Sequence, residues 1–477
     1  MSWQRRSPRP IASIRIGDSY FLEDSRLPMP PAGLNGFEQL QAAAAALPTG
    51  TWPQLSAFET ETAVKSPTRM SPALTRSLEA PDRFNPTLLN PQQVKALRSE
   101  LEKAQKCLTL ARDMVHFPNG RGPSMVPAGD QVIKMDSPKY LPMLKVAKAL
   151  SPDLRLRIFD GDLSGGLQDV STLLHMSAAL ADEPWEMPQM LRGAMDWLAA
   201  EYLEILLAGG TLSDAELAHI QKELEAELAS TKCLTAIRGA RAQIDYVLEK
   251  VQMQGATQEN QNDAVPPKSK AGTGVESISQ RIQLAREQAD LPASRANGLR
   301  LMNEYQRLAK LPFQERLREL PAFEIRYADE SFDLWPSRSG MARFLRDEID
   351  QAALLNCAIV AVALERFRLA NQGWPEKLEN LTPKYLGSVP LDPFDGRPLR
   401  MVTKGTTRIV YSIGSDTVDE GGKVSSKFGG RRQDIAEIGF ILHDPEQRRR
   451  PAPAFVFPER EKDIDKPSVR TGPKAQK

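Results

Sequence analysis

Apolar residues recur every three or four positions through the middle of this chain, and this spacing constrains the fold more than any other feature. The pattern begins after Asn90 and Pro91 and continues to Val251. Such spacing places the apolar side chains on one face of each helix, and these faces are buried against one another. Residues 93–253 are therefore predicted to form a compact helical domain of about six helices.

Helix boundaries within this domain can be read from capping signals. Ser213 and Glu216 have the spacing of a capping box, in which each side chain binds the free backbone N–H of the other residue. A helix is predicted to begin at this point. Further helices are predicted at Tyr140–Leu150, Ser164–Leu180 and Pro188–Ala208.

A second region of predicted order lies toward the C-terminus. A long helix is predicted at Arg343–Asn371. It is followed by alternating segments at Leu399–Val402 and Arg408–Ile413, which are expected to pair as a hairpin, and by a third strand at Ile435–Leu442. The expected fold class is therefore mostly α, with a C-terminal α+β module in which the long helix packs on a small antiparallel sheet.

Changes in composition divide the chain into segments. Pro, Ser and Ala dominate the N-terminal segment, where one short helix is predicted at Phe37–Ala46. Farther along, the connecting stretch is expected to be helical, to break near Pro292 and to be irregular over residues 321–338. The predicted segments are a largely disordered one at 1–92, the helical domain at 93–253, a flexible linker at 254–277, the connector at 278–338, the α+β module at 339–443 and a disordered tail at 444–477.

The charge balance limits the partners of the chain. There are 62 Lys and Arg residues against 61 Asp and Glu, a net charge of +1, so no nucleic-acid partner is expected. The longest uncharged apolar stretch, Gln351–Leu364, is much shorter than the roughly 20 residues that cross a bilayer. Membrane association is expected only through an anchor upstream of this chain. The basic run Arg448–Arg450 is predicted to be solvated.

No motif for catalysis is present in the sequence. It lacks a phosphate-binding Walker motif, a GxSxG nucleophile elbow and a GxGxxG loop. The cysteines and histidines are too scattered in sequence to predict a zinc or redox site; they are Cys107, Cys233, Cys357, His116, His175, His219 and His443. We therefore predict no catalytic residue and a protein that is not an enzyme, while a hydrolase with an unrecognised acidic site stays an alternative.

Several short elements occur in a fixed order between Leu364 and Gly422. A helix end at Phe367–Pro375 is followed by a Pro- and Asp-containing segment at Leu381–Gly396 and then by a hairpin that leads to Tyr411–Thr417. In this order they resemble the C-terminal globular half of the major pseudopilin of type II secretion systems. The resemblance covers about 80 of the 477 residues. It implies a bacterial protein of the cell envelope, with a long helix against a small sheet.

A second resemblance concerns the helical region. Residues 179–224 look like a segment found beside this module in uncharacterised proteins of planctomycetes and related bacteria, which usually begin with a transmembrane anchor. This chain departs from that pattern because it shows no anchor. It also departs from pseudopilins, since Arg343, Arg346, Asp347 and Glu348 make the helix before the module polar. It is therefore not expected to polymerise.

The pseudopilin resemblance also implies a calcium site in the loop after the hairpin. Backbone oxygens of Ile413 and Ser415 and the carboxylates of Asp416, Asp419 and Asp434 match the positions of the ligands. Calcium binds six to eight oxygen atoms, and a glycine-rich loop can wrap around it. Calcium is thus the one cofactor implied, and a plain solvated acidic turn is the alternative.

Two aspartates just before this hairpin invite a different interpretation. Asp392 and Asp395 precede Pro393 and Gly396 and could be mistaken for a catalytic pair. Aspartates in such positions accept hydrogen bonds from nearby backbone N–H groups. We predict that both are turn formers.

Two functions from different classes follow from these features. The first is a non-enzymatic structural or binding protein of the bacterial cell envelope, on the periplasmic side. The alternative is a soluble helical adaptor that binds a partner protein through residues 93–253. A protein partner is expected in both cases. If the chain is complete as written, the expected compartment is the cytoplasm.

Overall fold

The fold is mostly helical, with one small antiparallel sheet of three strands, as the sequence predicts. The computed structural model describes residues 33–48, 83–117, 120–122, 140–242, 244–245, 291–327, 338–425 and 437–452. The predicted linker at 254–277 lies outside the described residues.

In the described ranges before the linker there are six α-helices, and residues 232–242 are also helical. The six are Gly36–Ala45 (α1), Pro91–Arg112 (α2), Leu141–Asp160 (α3), Leu163–Ala178 (α4), Glu186–Gly209 (α5) and Asp214–Leu228 (α6). The capping box at Ser213 and Glu216 is confirmed, and Asn90 and Gln93 form a second one at the start of α2. These caps explain why both helices begin where the apolar spacing begins.

Two prolines lie inside helices that were predicted to end earlier. Pro152 lies within α3, which continues past the predicted end at Leu150. Pro321 lies within the helix Phe313–Arg326 (α8), where an irregular segment was predicted. A proline inside a helix costs about 3 kcal/mol. In both helices the residues after the proline are buried, among them Leu154 and Phe323, and this packing offsets the cost.

The connector contains two helices joined by a short turn. Helix α7 spans Leu291–Ala309 and carries Pro292 in its first turn, where proline is tolerated. The chain then turns at residues 310–312, and Pro312 is the N-cap residue of α8. The sequence prediction placed no break between helices at this turn.

The longest helix, Arg338–Asn371 (α9), passes behind the sheet. The strands are Arg400–Lys404 (β1), Thr407–Ser412 (β2) and Ile438–His443 (β3), in the order β1-β2-β3 with antiparallel pairing throughout. The predicted hairpin of β1 and β2 is confirmed, with Val402 opposite Ile409. Gly405 lies in the turn between them with φ of 61°, a value that glycine adopts easily.

One hydrophobic core joins the predicted helical domain to the predicted α+β module. It runs from Phe37 on α1 to Leu442 on β3, because α9 packs on α5, α6 and the sheet at the same time. A second core lies under α7, α8 and the start of α9, around Tyr305 and Phe344. The described parts of the two predicted domains therefore fold against one another.

Candidate functional site

The loop after β2 contains most of the residues that the pseudopilin resemblance proposes as calcium ligands. Ile413 is buried, whereas Ser415, Asp416 and Asp419 are exposed. Asp434 lies outside the described residues. The structure therefore describes four of the five predicted ligand residues.

Arg400 on β1 lies between three carboxylates at this end of the sheet. Its Nε donates a hydrogen bond to Asp419 Oδ2 at 2.9 Å, Nη1 to Asp392 Oδ2 at 3.2 Å and Nη2 to Asp395 Oδ2 at 2.6 Å. Burial is the largest influence and would lower the pKa of the Arg400 guanidinium, but the hydrogen bond to Asp395 and the charges of the three carboxylates together outweigh it and raise the pKa. One side chain thus joins the turn before β1 to the loop after β2.

The same two aspartates of the turn also bind backbone N–H groups. Asp392 Oδ1 accepts from the N–H of Phe394 at 3.0 Å, and Asp395 Oδ1 accepts from the N–H of Arg397 at 3.0 Å. Asp392 is fully buried, and its Oδ2 also accepts from the N–H of Ile413 at 2.9 Å. The prediction that Asp392 and Asp395 form turns is confirmed.

Asp419 is already surrounded by hydrogen-bond donors. Its Oδ1 accepts from the N–H of Gly421 at 3.0 Å and from the hydroxyl of Tyr411 at 3.1 Å. The Gly421 N–H, together with Tyr411 and Arg400, lowers the pKa of Asp419. A carboxylate that accepts hydrogen bonds from a guanidinium and a hydroxyl group has fewer lone pairs left to bind a metal ion.

The described residues do not fit a calcium ion in this arrangement. Calcium needs six to eight oxygen ligands, and Asp419 is bound by Arg400 instead. Within the part of the chain that the structure describes, no group of three or more His, Cys, Asp or Glu side chains is placed to hold a metal ion. Calcium binding that involves Asp434 stays a prediction.

The opposite edge of the sheet is covered by charged side chains from distant parts of the chain. Antiparallel pairing directs alternate backbone groups of β3 away from β2. Glu204 on α5 accepts a hydrogen bond from the N–H of Ile441 at 2.9 Å, and Arg83 donates to the carbonyl of Gly439 at 2.6 Å. These two side chains take the place that a fourth strand would have, and they close an edge that could otherwise pair with another chain.

Arg83 and Glu204 also bind each other. Arg83 Nε lies 2.7 Å from Glu204 Oε1 and Nη2 lies 2.8 Å from Oε2, a bidentate pair with 9% and 4% of the side chains exposed. Burial is the largest influence and would lower the pKa of Arg83, but the charge and hydrogen bonds of Glu204, with the charge of Glu201, together outweigh burial and raise it. The pair is thus charged and almost fully buried where the helices meet the sheet.

The prediction that Arg448–Arg450 is solvated is wrong for Arg448, whereas Arg449 and Arg450 are exposed. Arg448 is buried and forms an ion pair with Glu365 on α9, and its Nε donates to the carbonyl of His443 at 3.0 Å. Arg449 donates to the carbonyl of Ile158 at 2.7 Å, at the end of α3. Carbonyl groups at a helix C-terminus lack partners within the helix and attract cations, which draws this basic run onto the fold.

A similar correction applies to residues 83–90, in the segment predicted to be largely disordered. The N–H of Leu88 donates to the carbonyl of Arg450 at 2.8 Å, and Leu89 is buried. Residues 83–90 and 448–450 therefore lie side by side across the ends of α3 and α5.

The three thiols lie in the interior of the protein. Cys107, Cys233 and Cys357 are each 0% exposed. Burial raises the pKa of Cys107 to about 12 and raises the pKa values of Cys233 and Cys357 well above the ordinary value of a thiol. A buried thiol that stays protonated is a poor nucleophile and a poor metal ligand.

Tertiary packing brings together two histidines that sequence spacing kept apart. His175 on α4 and His219 on α6 approach the same oxygen of Glu223, with Nε2 to Oε1 distances of 3.7 Å and 3.3 Å. Nδ1 of His175 also bonds to the carbonyl of Ser171 at 2.9 Å. Their positions 44 residues apart gave no signal for this contact in the sequence.

Sequence reasoning also missed a buried charge cluster between α5, α6 and residues 232–242. Lys232 lies 2.8 Å from Asp196 and 3.0 Å from Glu227, and Arg192 lies 2.7 Å from Glu227. Burial raises the pKa of Asp196 to about 6, although Lys232 opposes this shift. The available signal was the occurrence of charged residues at helix positions that the apolar spacing assigns to the interior.

Comparison of the chain with family models, curated proteins and solved structures finds no match. The structure adds one finding on membranes. Among the helices in the described ranges, none combines the length and the apolar character needed to cross a bilayer.

Proposed function

We propose that this protein is a non-enzymatic structural or binding protein of the bacterial cell envelope, in which a helical scaffold carries a pseudopilin-like C-terminal module. The observation that carries the proposal is the order of elements after Arg338. The long helix α9 is followed by the turn with Asp392 and Asp395 and by an antiparallel hairpin that packs on the helix. This is the order that the resemblance implies.

The N-terminal half of α9 supports a role other than polymerisation. Arg346 binds Glu324 on α8, and Glu348 binds Arg316 on α8 at 2.7 Å. This half of the helix is therefore held by another part of the same chain. We propose that the module is fixed on the scaffold and presents its surface to a protein partner.

Calcium enters this proposal only as the ion that the resemblance implies. Binding through Ile413, Ser415, Asp416 and Asp434 would leave Asp419 with Arg400, or would require that ion pair to open first. Calcium would stabilise the loop and would supply no reaction.

Fractionation of cells tests the compartment. The full chain with a C-terminal tag is expressed from its own promoter, and the cytoplasm, periplasm and membranes are separated. We expect the protein with the envelope fractions. Recovery in the cytoplasm together with a cytoplasmic marker enzyme would reject the envelope assignment.

A second experiment tests the assembly state of the purified full chain. Light scattering and sedimentation are expected to show particles of defined size and no filaments. Filaments that pellet on centrifugation would contradict a module fixed on its scaffold.

The adaptor alternative is supported by a cleft between α5 and α9. Met190, which is 43% exposed, lines it with Ala194 and Trp197 on one side, and Arg343 and Gln351 lie on the other. Exposed apolar side chains in such a cleft fit a segment of a partner protein. Of the two helices, only α5 belongs to residues 93–253, the region that the sequence proposes for partner binding.

The adaptor alternative is tested with the full chain, because the helical domain shares its core with the module. Cross-linking in cells compares Met190→Glu with Leu141→Glu, a substitution at a distant leucine that is 58% exposed. Loss of a cross-linked partner in the first variant alone would favour the adaptor. Equal capture by both variants and by the unmodified chain would reject it.

A further inference from the structure

Two cavities lie on either side of Gln351, a residue of α9. The first is the cleft between α5 and α9, and its volume is about 290 Å³. The second, of about 240 Å³, lies between α9, the end of α6 and the turn that joins α7 to α8. Gln351 lines both cavities, so its side chain lies between them. Each cavity is smaller than the pockets of about 300 to 1,000 Å³ that hold small ligands, and the two together fall within that range.

The linings of the two cavities are mainly apolar. The first cavity is lined by Met190, Ala194 and Trp197 of α5. The second is lined by apolar side chains from several parts of the chain, among them Leu228, Leu311, Phe313 and Leu355. Apolar walls favour an apolar ligand in proportion to the surface that it removes from water.

The side chain of Gln351 is placed so that it can move. Its Oε1 atom is buried and has no hydrogen-bond partner. Its amide lies directly against α5 at Gly193, where a Cβ atom would come within 2.1 Å of Nε2 of Gln351. A buried carbonyl oxygen without a donor is unfavourable. Rotation of this side chain therefore breaks no hydrogen bond of the oxygen and opens the wall between the cavities.

Cations and carboxylates in the first cavity already face each other. Arg343 Nε lies 3.7 Å from Asp347 Oδ2, and Asp350 is buried with a partner of its own. The hydroxyl of Ser415, which is exposed, carries no charge. The described lining of this cavity therefore offers no free charge of either sign to a ligand.

The charges of the second cavity are paired in the same way. Arg316 Nη1 lies 2.7 Å from Glu348 Oε2, and Lys232 lies 2.8 Å from Asp196 in the buried charge cluster. An ionised ligand would compete with these partners and would lose its own hydration. An uncharged ligand avoids both costs.

We propose that the two cavities join into one channel for an uncharged molecule with a single unbranched alkyl chain, and that Gln351 moves aside when this molecule binds. The opening left by one displaced side chain admits a linear chain and excludes a folded segment of a protein. In this channel the alkyl chain lies against Trp197 in the first cavity and against Phe313 in the second. The proposal goes beyond the function proposed above and does not depend on it.

The test uses the purified full chain and a series of linear alcohols from hexanol to dodecanol. Calorimetry measures the affinity for each alcohol. We expect the affinity to rise along the whole series, because the longer chains pass Gln351 and reach the second cavity. An affinity that stops rising at hexanol would confine the ligand to one cavity and overturn the proposal. No partner protein is present, so this result is independent of the adaptor alternative.

Charged molecules with the same chain test the head group. Dodecanoate and dodecylammonium are expected to bind about fivefold or more weakly than dodecanol. Tighter binding of either charged molecule would overturn the assignment to an uncharged ligand.

Substitution of Gln351 tests its part in the channel. Gln351→Ala removes the wall between the cavities and is expected to bind dodecanol about fivefold or more tightly than the unmodified chain does. Its affinity for hexanol should stay nearly the same. Gln105→Ala, at an exposed glutamine on α2, is the matched control. Unchanged dodecanol affinity in Gln351→Ala would overturn the proposal that this side chain moves aside.

A second substitution locates the ligand. Ala194→Trp places a large side chain in the first cavity and is expected to abolish dodecanol binding. Ala215→Trp, at an exposed position on α6, is the control and should bind like the unmodified chain. Equal binding by the two variants would overturn the assignment to this channel.

A spectroscopic measurement keeps the test decisive if Ala194→Trp does not fold. Dodecanol with a bromine atom on its last carbon quenches the fluorescence of an indole ring that it contacts. We expect quenching in the unmodified chain and a clear loss of quenching in Trp197→Phe. Equal quenching in the two proteins would place the ligand elsewhere and overturn the proposal.

Discussion

The two edges of the three-stranded sheet are both held by an arginine and carboxylates, but in different surroundings. At the β3 edge, Arg83 and Glu204 are almost fully buried and bind the backbone of the strand. At the β1 edge, Arg400 is 18% exposed, and one of its partners, Asp419, is 47% exposed. We call these the inner edge and the outer edge.

The difference shows how burial changes the importance of the same kind of ion pair. Breaking a buried pair leaves a charge without water or partner, whereas an exposed pair is replaced by water at little cost. The inner edge joins the helices to the sheet, and the outer edge orders only a loop and a turn. We therefore expect substitutions at the inner edge to affect the whole fold.

The largest effect is expected for Glu204→Ala. This change leaves Arg83 buried without its carboxylate and the N–H of Ile441 without its acceptor. We expect a loss of about 3 to 5 kcal/mol in the free energy of unfolding, measured with urea. Glu201→Ala, one turn earlier on α5, is the control and should cost much less. Equal losses in the two variants would contradict the special role of the inner edge.

The next effect concerns Arg448, which also binds the inner edge through the carbonyl of His443. Arg448→Met removes the buried partner of Glu365, while Arg368 still binds that carboxylate at 2.8 Å. We expect a loss of about 2 to 4 kcal/mol in thermal or urea unfolding.

Arg450 provides the matched control for this prediction. It lies two residues farther on and is exposed, so Arg450→Ala should cost about 1 kcal/mol or less. If Arg448→Met were as mild as Arg450→Ala, the tail would not be part of the folded structure in solution.

At the outer edge, Arg400→Gln is expected to cost about 1 to 2 kcal/mol, because three carboxylates lose their shared cation in partly exposed surroundings. The same variant tests whether Arg400 prevents calcium from binding to the loop after β2. With the guanidinium absent, millimolar calcium should raise its melting temperature more than that of the unmodified chain. EDTA provides the baseline.

Asp416→Ala serves as the control for the calcium measurement. A clear calcium response of the unmodified chain that is lost in Asp416→Ala would show that the loop binds calcium with Arg400 in place. It would contradict the expectation that Arg400 takes the place of a calcium ion in this loop.

The smallest effect is a pH dependence of the inner edge. Burial lowers the pKa of His443 below its ordinary 6.5, so the unfolded chain takes up a proton there before the folded chain does. Stability from this residue is therefore complete above pH 6.5 and is lost as the pH falls toward the lowered pKa. His443→Gln should show less loss in urea titrations between pH 7 and 5. His219→Gln, at a side chain 70% exposed, should keep the full dependence.

The sequence predicted the helices better than the contacts between them. A local signal such as the capping box at Ser213 acts within a few residues, so it can be read directly from the sequence. Pro152 and Pro321 misled the prediction because the gain from burying the residues that follow them depends on the rest of the fold. Helix ends that depend on tertiary packing cannot be read from local signals.

The candidate site was predicted in part. The positions of Asp392, Asp395 and Asp419 in turns follow from their neighbours in the chain, and the structure has them there. The contact of Arg400 with all three was missed, although the arginine lies only five residues after Asp395. That contact depends on the pairing of β1 with β2 and on the loop after β2, which returns toward β1. Neither feature was used to search for a cation within the chain.

The sequence by itself determined the fold class, the hairpin, the caps and the turns, because each depends on residues close together in the chain. Only the tertiary structure decided that Arg83, Glu204 and Arg448 close the edge of β3 and that one core unites the helices with the sheet. The contacts of Arg83 and Glu204 with β3 join residues more than two hundred positions apart. Their free energy comes from excluding water around charges and apolar groups together, and that exclusion exists only after the chain has folded.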